Sequence, residues 1–110
     1  MKKMDVFAAI AEPTRRDILE MLANQGSLPS SAIAKSFDST PSAVSQHLKV
    51  LREARLIRVE KKAQQRIYSL DPYVIDDLDD WIKHLKSEWN HRLDRLDKVL
   101  KDKEINHGGR

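Results

Sequence analysis

The chain has 110 residues, 34% of them charged and 5% aromatic, which suits one helical, charge-covered domain with a modest core. It has no cysteine, so disulfides, thiolate metal sites and thiol nucleophiles are excluded, and no run approaches the roughly 18 apolar residues of a membrane span. The net charge of +3 is uneven: residues 1–70 hold 12 Lys/Arg against 7 Asp/Glu and residues 71–110 hold 8 against 10, a basic front suited to polyanions before a mildly acidic rear.

No apolar signal core follows Met1-Lys2-Lys3, and the expected location is cytoplasmic, with no membrane partner. Residues 3–11 predict a short helix, ended by Pro13 because the residue before a proline avoids helical angles. Pro13 suits the first turn of the next helix, which runs to about Asn24 with Ile18, Leu19 and Leu22 inward and ends at Asn24-Gln25-Gly26. Ser30 to Phe37 predicts a third, short helix with Ile33, Ala34 and Phe37 apolar, and Asp38-Ser39 turns the chain.

Thr40 is a good N-cap and Pro41 a good first helical residue, so a fourth helix is predicted over 41–54. At 3.6 residues per turn Val44, Leu48 and Leu51 fall within about 60° of arc, with Ser42, Ser45, Gln46 and Lys49 opposite. Short helix, tight turn and capped helix form the pattern of a helix-turn-helix. His47 borders the apolar stripe, about 60° from Val44, and reads as a partly buried, hydrogen-bonded side chain rather than a base reader.

Leu56–Glu60 and Arg66–Leu70 each alternate apolar and polar, with Lys61-Lys62-Ala63-Gln64-Gln65 between them. This predicts a β-hairpin with a basic tip. Asp71-Pro72 opens a last helix, from about 73 to 103. Leu78, Ile82, Leu85, Trp89, Leu93, Leu96 and Leu100 step along it by fours and threes without a break. Such a helix is about 46 Å long, against a radius of gyration of about 13 Å for a domain of this size. The seam therefore calls for a second copy of the chain, as a twofold dimer. Asp76, Asp77, Asp79 and Asp80 near its start and Lys98, Lys101 and Lys103 near its end suit the helix dipole. The expected organisation is one domain over residues 1–104, mainly α with a small β-hairpin, and a flexible tail over 105–110.

A recognition helix entering the major groove, about 12 Å wide, needs a slim and hydrogen-bonding outer face. Ser42, Ser45 and Gln46 can donate to and accept from base edges. Lys49 and Arg52 can reach a guanine edge or a phosphate, and Thr40 and Pro41 stand at the positive helix end, where backbone N–H groups hold phosphate. On the hairpin, Lys61, Lys62, Gln64 and Arg66 can meet the adjacent minor groove or its phosphates.

Three stretches, "AEPTRRDILEML" (11–22), "SAVSQHLKVLREARLI" (42–57) and "RIYSLDP" (66–72), resemble the ArsR/SmtB family of winged helix-turn-helix repressors in order and spacing. The resemblance implies a homodimer paired through the first and last helices, adding Met4 and Phe7 to the seam. It also implies helix 41–54 in the major groove, residues 57–70 as the wing, and an operator of two inverted half-sites in double-stranded DNA. Arg55 stands where many members have glycine, and a non-glycine residue in the left-handed region there costs about 1 kcal/mol.

The family's thiolate metal site is impossible without cysteine. Its zinc-type site, counted from Tyr68-Ser69-Leu70, falls on Pro72, Val74, Leu85 and Glu88, of which only Glu88 can ligate. Asp80, His84, Glu88 and His91 do share one stripe of the last helix, but about 120° from the seam and facing solvent. The expected function is therefore a sequence-specific, metal-independent dimeric repressor with no cofactor and an effector unspecified by the sequence. Alternatives are a metal-responsive repressor using that His/Asp/Glu stripe, and a helical protein-interaction adaptor. No enzyme is expected, since there is no glycine-rich phosphate loop and no nucleophile–base–orienter set.

Overall fold

The computed structural model describes the backbone of residues 5–108 and the side chains of residues 5–102. The contacts within the chain fall into two compact units, Met1–Ile75 and Asp76–Arg110.

The first unit opens with α1 (Val6–Ile10), capped by Asp5, whose Oδ1 accepts from the Phe7 N–H at 3.0 Å. It is shorter than the helix expected over 3–11, because that cap fixes its start and the turn into Pro13 ends it. Met4 lies outside the described residues. α2 (Pro13–Gln25) begins at its proline, with the Glu12 carboxylate accepting from the Arg15 N–H at 3.1 Å. Gly26 closes it at φ 85°, its N–H donating to Leu22 at 2.8 Å. A side chain at that φ would be strained. Then come β1 (Leu28–Pro29), α3 (Ser30–Lys35), α4 (Pro41–Glu53), β2 (Ile57–Lys62) and β3 (Gln65–Leu70).

The expected hairpin is part of a three-stranded antiparallel sheet, ordered β1-β3-β2. The two-residue β1 pairs Leu28 with Tyr68 and Pro29 with Ile67. A strand this short has no alternation to read, so periodicity cannot reveal it. The hairpin is also tighter than expected. Lys61 and Lys62 belong to β2, and Lys62 pairs directly with Gln65, leaving a two-residue turn of Ala63 and Gln64. Ala63 makes that turn at φ 55°, taking a conformation that glycine would adopt at lower cost.

The core of this unit is Ala9, Ile18, Leu22, Ile33, Val44, Leu48, Leu51, Ala54, Leu56, Ile57 and Tyr68, all at most 6% exposed. Val44, Leu48 and Leu51 are the stripe predicted for α4, and through it the helix is anchored. Truncating a fully buried leucine such as Leu51 to alanine would cost about 2–5 kcal/mol. Immediately after α4, Arg55 takes φ 63°, the left-handed conformation that glycine takes at lower cost. The Leu56 N–H donates to Leu51 at 3.1 Å and the Arg55 N–H to Arg52 at 3.0 Å, the bond pair of a Schellman cap. This cap turns the chain sharply from α4 into β2.

α5 (Pro72–Gly108) has 37 residues and is about 55 Å long. Asp71 Oδ1 accepts from the Tyr73 N–H at 3.1 Å and so starts it. It passes its expected end near 103 and continues through 105–108, expected as tail. The acidic run from Asp76 therefore begins a turn inside the helix, where the dipole contributes less. The same applies to Lys98 and Lys101 at the other end. The expected seam is an exposed apolar face: Ile82, Leu85, Trp89, Leu93, Leu96 and Leu100 are 43–59% exposed, and Leu78 is half-buried. Trp81 and Val99 are exposed as well, two apolar residues that the fours-and-threes count passed over. Among the described residues no helix is long and apolar enough to cross a membrane.

Candidate nucleic-acid interface

The functional face is built on α4. Thr40 Oγ1 accepts from the Ala43 N–H at 3.1 Å, so the hydroxyl is committed to the cap. Pro41 occupies the first helical position. The buried stripe sets the helix roll, and Ser42, Ser45, Gln46 and Lys49 are all exposed on the other side, with Arg52. On the wing Lys61, Lys62, Gln64 and Arg66 are exposed too.

These eleven residues are not one cluster. Cross-strand partners share a sheet face, and successive residues alternate between faces. Lys61 pairs with Arg66 and Val59 with Tyr68, so the two cations stand on the face of the buried Tyr68. Lys62 falls on the opposite face, together with Arg58 and Ser69, whose side chains lie 3.4 Å apart. Like charges directly opposite one another destabilise a hairpin, and Lys61 opposite Arg66 is such a pair. Arg66 also joins Ser45, Lys49 and Arg52 of α4 around a cleft of about 380 Å³. Thr40, Pro41, Ser42 and Gln46 lie outside that cleft, as do Lys61, Lys62 and Gln64.

A polar knot fixes α4 to the rest of the unit. Arg15 Nε donates to the Ala9 carbonyl at 2.6 Å, one guanidinium nitrogen lies 3.3 Å from the Ala8 carbonyl, and the other is 3.3 Å from His47 Nδ1. Arg16 donates to the carbonyls of Ile10 and Ala11 at 2.7 and 3.0 Å. The two arginines thus meet the carbonyls at the end of α1, of which that of Ala8 also accepts the Ala11 N–H. His47 is in the half-buried, hydrogen-bonded position expected of it. Glu12 completes the knot, its carboxylate 3.8 Å from His47 Nδ1. Partial desolvation raises the Glu12 carboxyl pKa, but the Arg15 N–H and the charges of His47 and Arg15 outweigh it and hold the group below its ordinary 4.5. Sequence reasoning missed Glu12, Arg15 and Arg16 as a unit, since their partners are backbone carbonyls and a residue 32 positions on.

A family model described as a helix-turn-helix domain matches residues 10–60, which covers α2 through most of β2. Transcriptional repressor SdpR of Bacillus subtilis (strain 168) is 37% identical over 89 residues, 81% of this chain and 98% of SdpR. A solved ArsR family transcriptional regulator has a TM-score of 0.69 at 27% identity, over 76% of this chain and 86% of that one. This chain belongs to the ArsR family. It is a transcriptional regulator with a winged helix-turn-helix DNA-binding domain. An ArsR-like transcriptional regulator from Rhodococcus sp. RHA1, at 23% identity, shares the fold with a TM-score of 0.76 over 86% of this chain and 88% of that one.

In this ArsR-family member Asp80, His84, Glu88 and His91 are all exposed on α5. Among the described residues, no three His, Cys, Asp or Glu side chains are placed to hold one ion.

Proposed function

We propose that this regulator is a homodimeric, metal-independent repressor that binds an inverted-repeat operator, α4 lying in the major groove and the β2–β3 wing beside it. It performs no catalysis. The observation that carries the reading is the division of α4: Val44, Leu48 and Leu51 are buried while Ser42, Ser45, Gln46, Lys49 and Arg52 are all exposed. Small hydroxyls and an amide give clearance for the groove and bonds to base edges, and the flanking cations hold phosphate. Repression is supported by the likeness to SdpR, a transcriptional repressor.

The dimer is supported by the α5 seam, whose leucines and Trp89 are about half exposed in a single chain. Burying an apolar face of this kind against its own symmetry mate is the common solution, with Met4 and Phe7 as the further contribution the family implies. Two half-sites about one helical turn apart then follow from twofold symmetry.

The test is a gel shift with the DNA upstream of the regulator's own gene, at physiological salt. A preference of at least about a thousandfold over random duplex is expected. No preference would leave α5 as the working part and favour a protein-interaction adaptor. For the dimer, Trp89→Asp combined with Leu93→Asp should halve the mass found by sedimentation equilibrium, and an unchanged mass would refute the seam.

A further inference from the structure

Three cations converge where α4 passes the wing. Lys49 and Arg52 of α4 and Arg66 of β3 line the cleft of about 380 Å³, with the hydroxyl-bearing Ser30 and Ser45. Leu48 and Tyr68 complete its lining and are 3% and 6% exposed, a packed floor under charged walls. No carboxylate lines the cleft. None of the three cations forms an ion pair among the described residues.

Two periodicities bring them together. At 3.6 residues per turn Ser45, Lys49 and Arg52 share about 60° of α4, centred roughly 70° from the midpoint of Ser42 and Gln46. They therefore turn toward the wing, away from the part of α4 that faces outward as a reading edge. On β3, alternation sends Arg66 and Tyr68 to the same face, and the register sets Lys61 directly across from Arg66. Like charges held together without a counter-charge repel one another. A small tetrahedral oxyanion satisfies them, since it offers several acceptors to cations and hydroxyls that approach from different sides.

We infer that this cleft takes one phosphate group of the DNA backbone, gripped between recognition helix and wing. The inference rests on the DNA-binding reading above and divides its residues by role. Lys49, Arg52 and Arg66 position the protein with Ser30, a residue outside both helix-turn-helix reading face and wing tip. Ser42 and Gln46 are left to read bases. One phosphate held from both sides sets how deeply α4 enters the groove.

The experiment has two arms, both on the full chain. In the first, binding to a random-sequence duplex is measured against salt for the wild type and for the combined Lys49→Ala, Arg52→Ala, Arg66→Ala variant. These side chains are exposed, so the variant keeps its core. Each phosphate neutralised contributes about 0.9 to the slope of log affinity against log salt. One shared phosphate predicts a slope loss of about 0.9, whereas three separate phosphates predict about 2.7 and would overturn the inference. Ser30→Ala should weaken binding at least about tenfold on every sequence, the worth of one hydrogen bond to a charged acceptor.

In the second arm, inorganic phosphate is titrated into the free chain and followed by amide NMR. Shifts at Ser30, Ser45 and Arg66 that vanish in the triple variant support the site, and no shift there overturns it. If those shifts occur but the variant binds duplex like the wild type, the cleft serves a free phosphate and the backbone assignment fails. A wild-type chain that shifts with phosphate yet binds no duplex sinks the DNA reading and the backbone assignment together, leaving only a site for a free anion.

Discussion

Arg15 of α2 and His47 of α4 join two helices far apart in the chain: a guanidinium nitrogen of Arg15 lies 3.3 Å from His47 Nδ1. A guanidinium can only donate, so Nδ1 is the acceptor of this bond when the ring is neutral. The same guanidinium holds the carbonyls of Ala8 and Ala9. One side chain therefore ties α1, α2 and α4 together, and the orientation of the recognition helix depends on it.

Arg15→Ala should destabilise the fold by about 1–3 kcal/mol, since it removes charge-assisted bonds to half-buried acceptors. His47→Ala should cost less, about 1 kcal/mol, and should lower affinity for all DNA sequences alike, because it loosens α4 without touching a base. Urea unfolding and gel shifts measure the two effects. A His47→Ala variant that changed preference at particular base pairs would instead place His47 among the readers.

The same knot predicts a pH dependence. Glu12 titrates below its ordinary 4.5 in the folded chain, so the unfolded chain binds protons more readily. Its contribution is fully present above about 4.5 and is lost as pH falls through the lower folded value. Glu12→Gln should flatten the acid limb of a plot of thermal midpoint against pH. An unchanged limb would assign acid destabilisation to other carboxylates.

Arg55 gives a test of local strain. It holds φ 63° in a cap whose bonds come from the backbone alone, so its side chain is not what makes the turn. Arg55→Gly should stabilise the protein by up to about 1 kcal/mol, and Arg55→Val should destabilise it. Urea midpoints decide, and a destabilised glycine variant would mean that the arginine side chain has contacts of its own worth more than the strain.

On the reading face, Gln46→Ala should relax preference at one or two base pairs by about 1–3 kcal/mol, while Lys62→Ala should weaken all sequences and lower the salt slope by about 1. Equal losses on all DNA for both variants would show that α4 does not read bases.

The sequence by itself determined the order of the helices and the hairpin, the anchoring stripe of Val44, Leu48 and Leu51, and the bare seam of α5. Each is written in a period of 3.6 or 2 that a run of neighbouring residues displays. Only the tertiary structure decided what depends on residues far apart in the chain. Leu28-Pro29 became a strand because β3 was there to pair with it. Arg15 found His47 across 32 positions, and Arg66 met Lys49 and Arg52 because sheet alternation and helix roll aim them into one cleft. Local pattern fixes which face a side chain occupies, but which face it meets is set by packing.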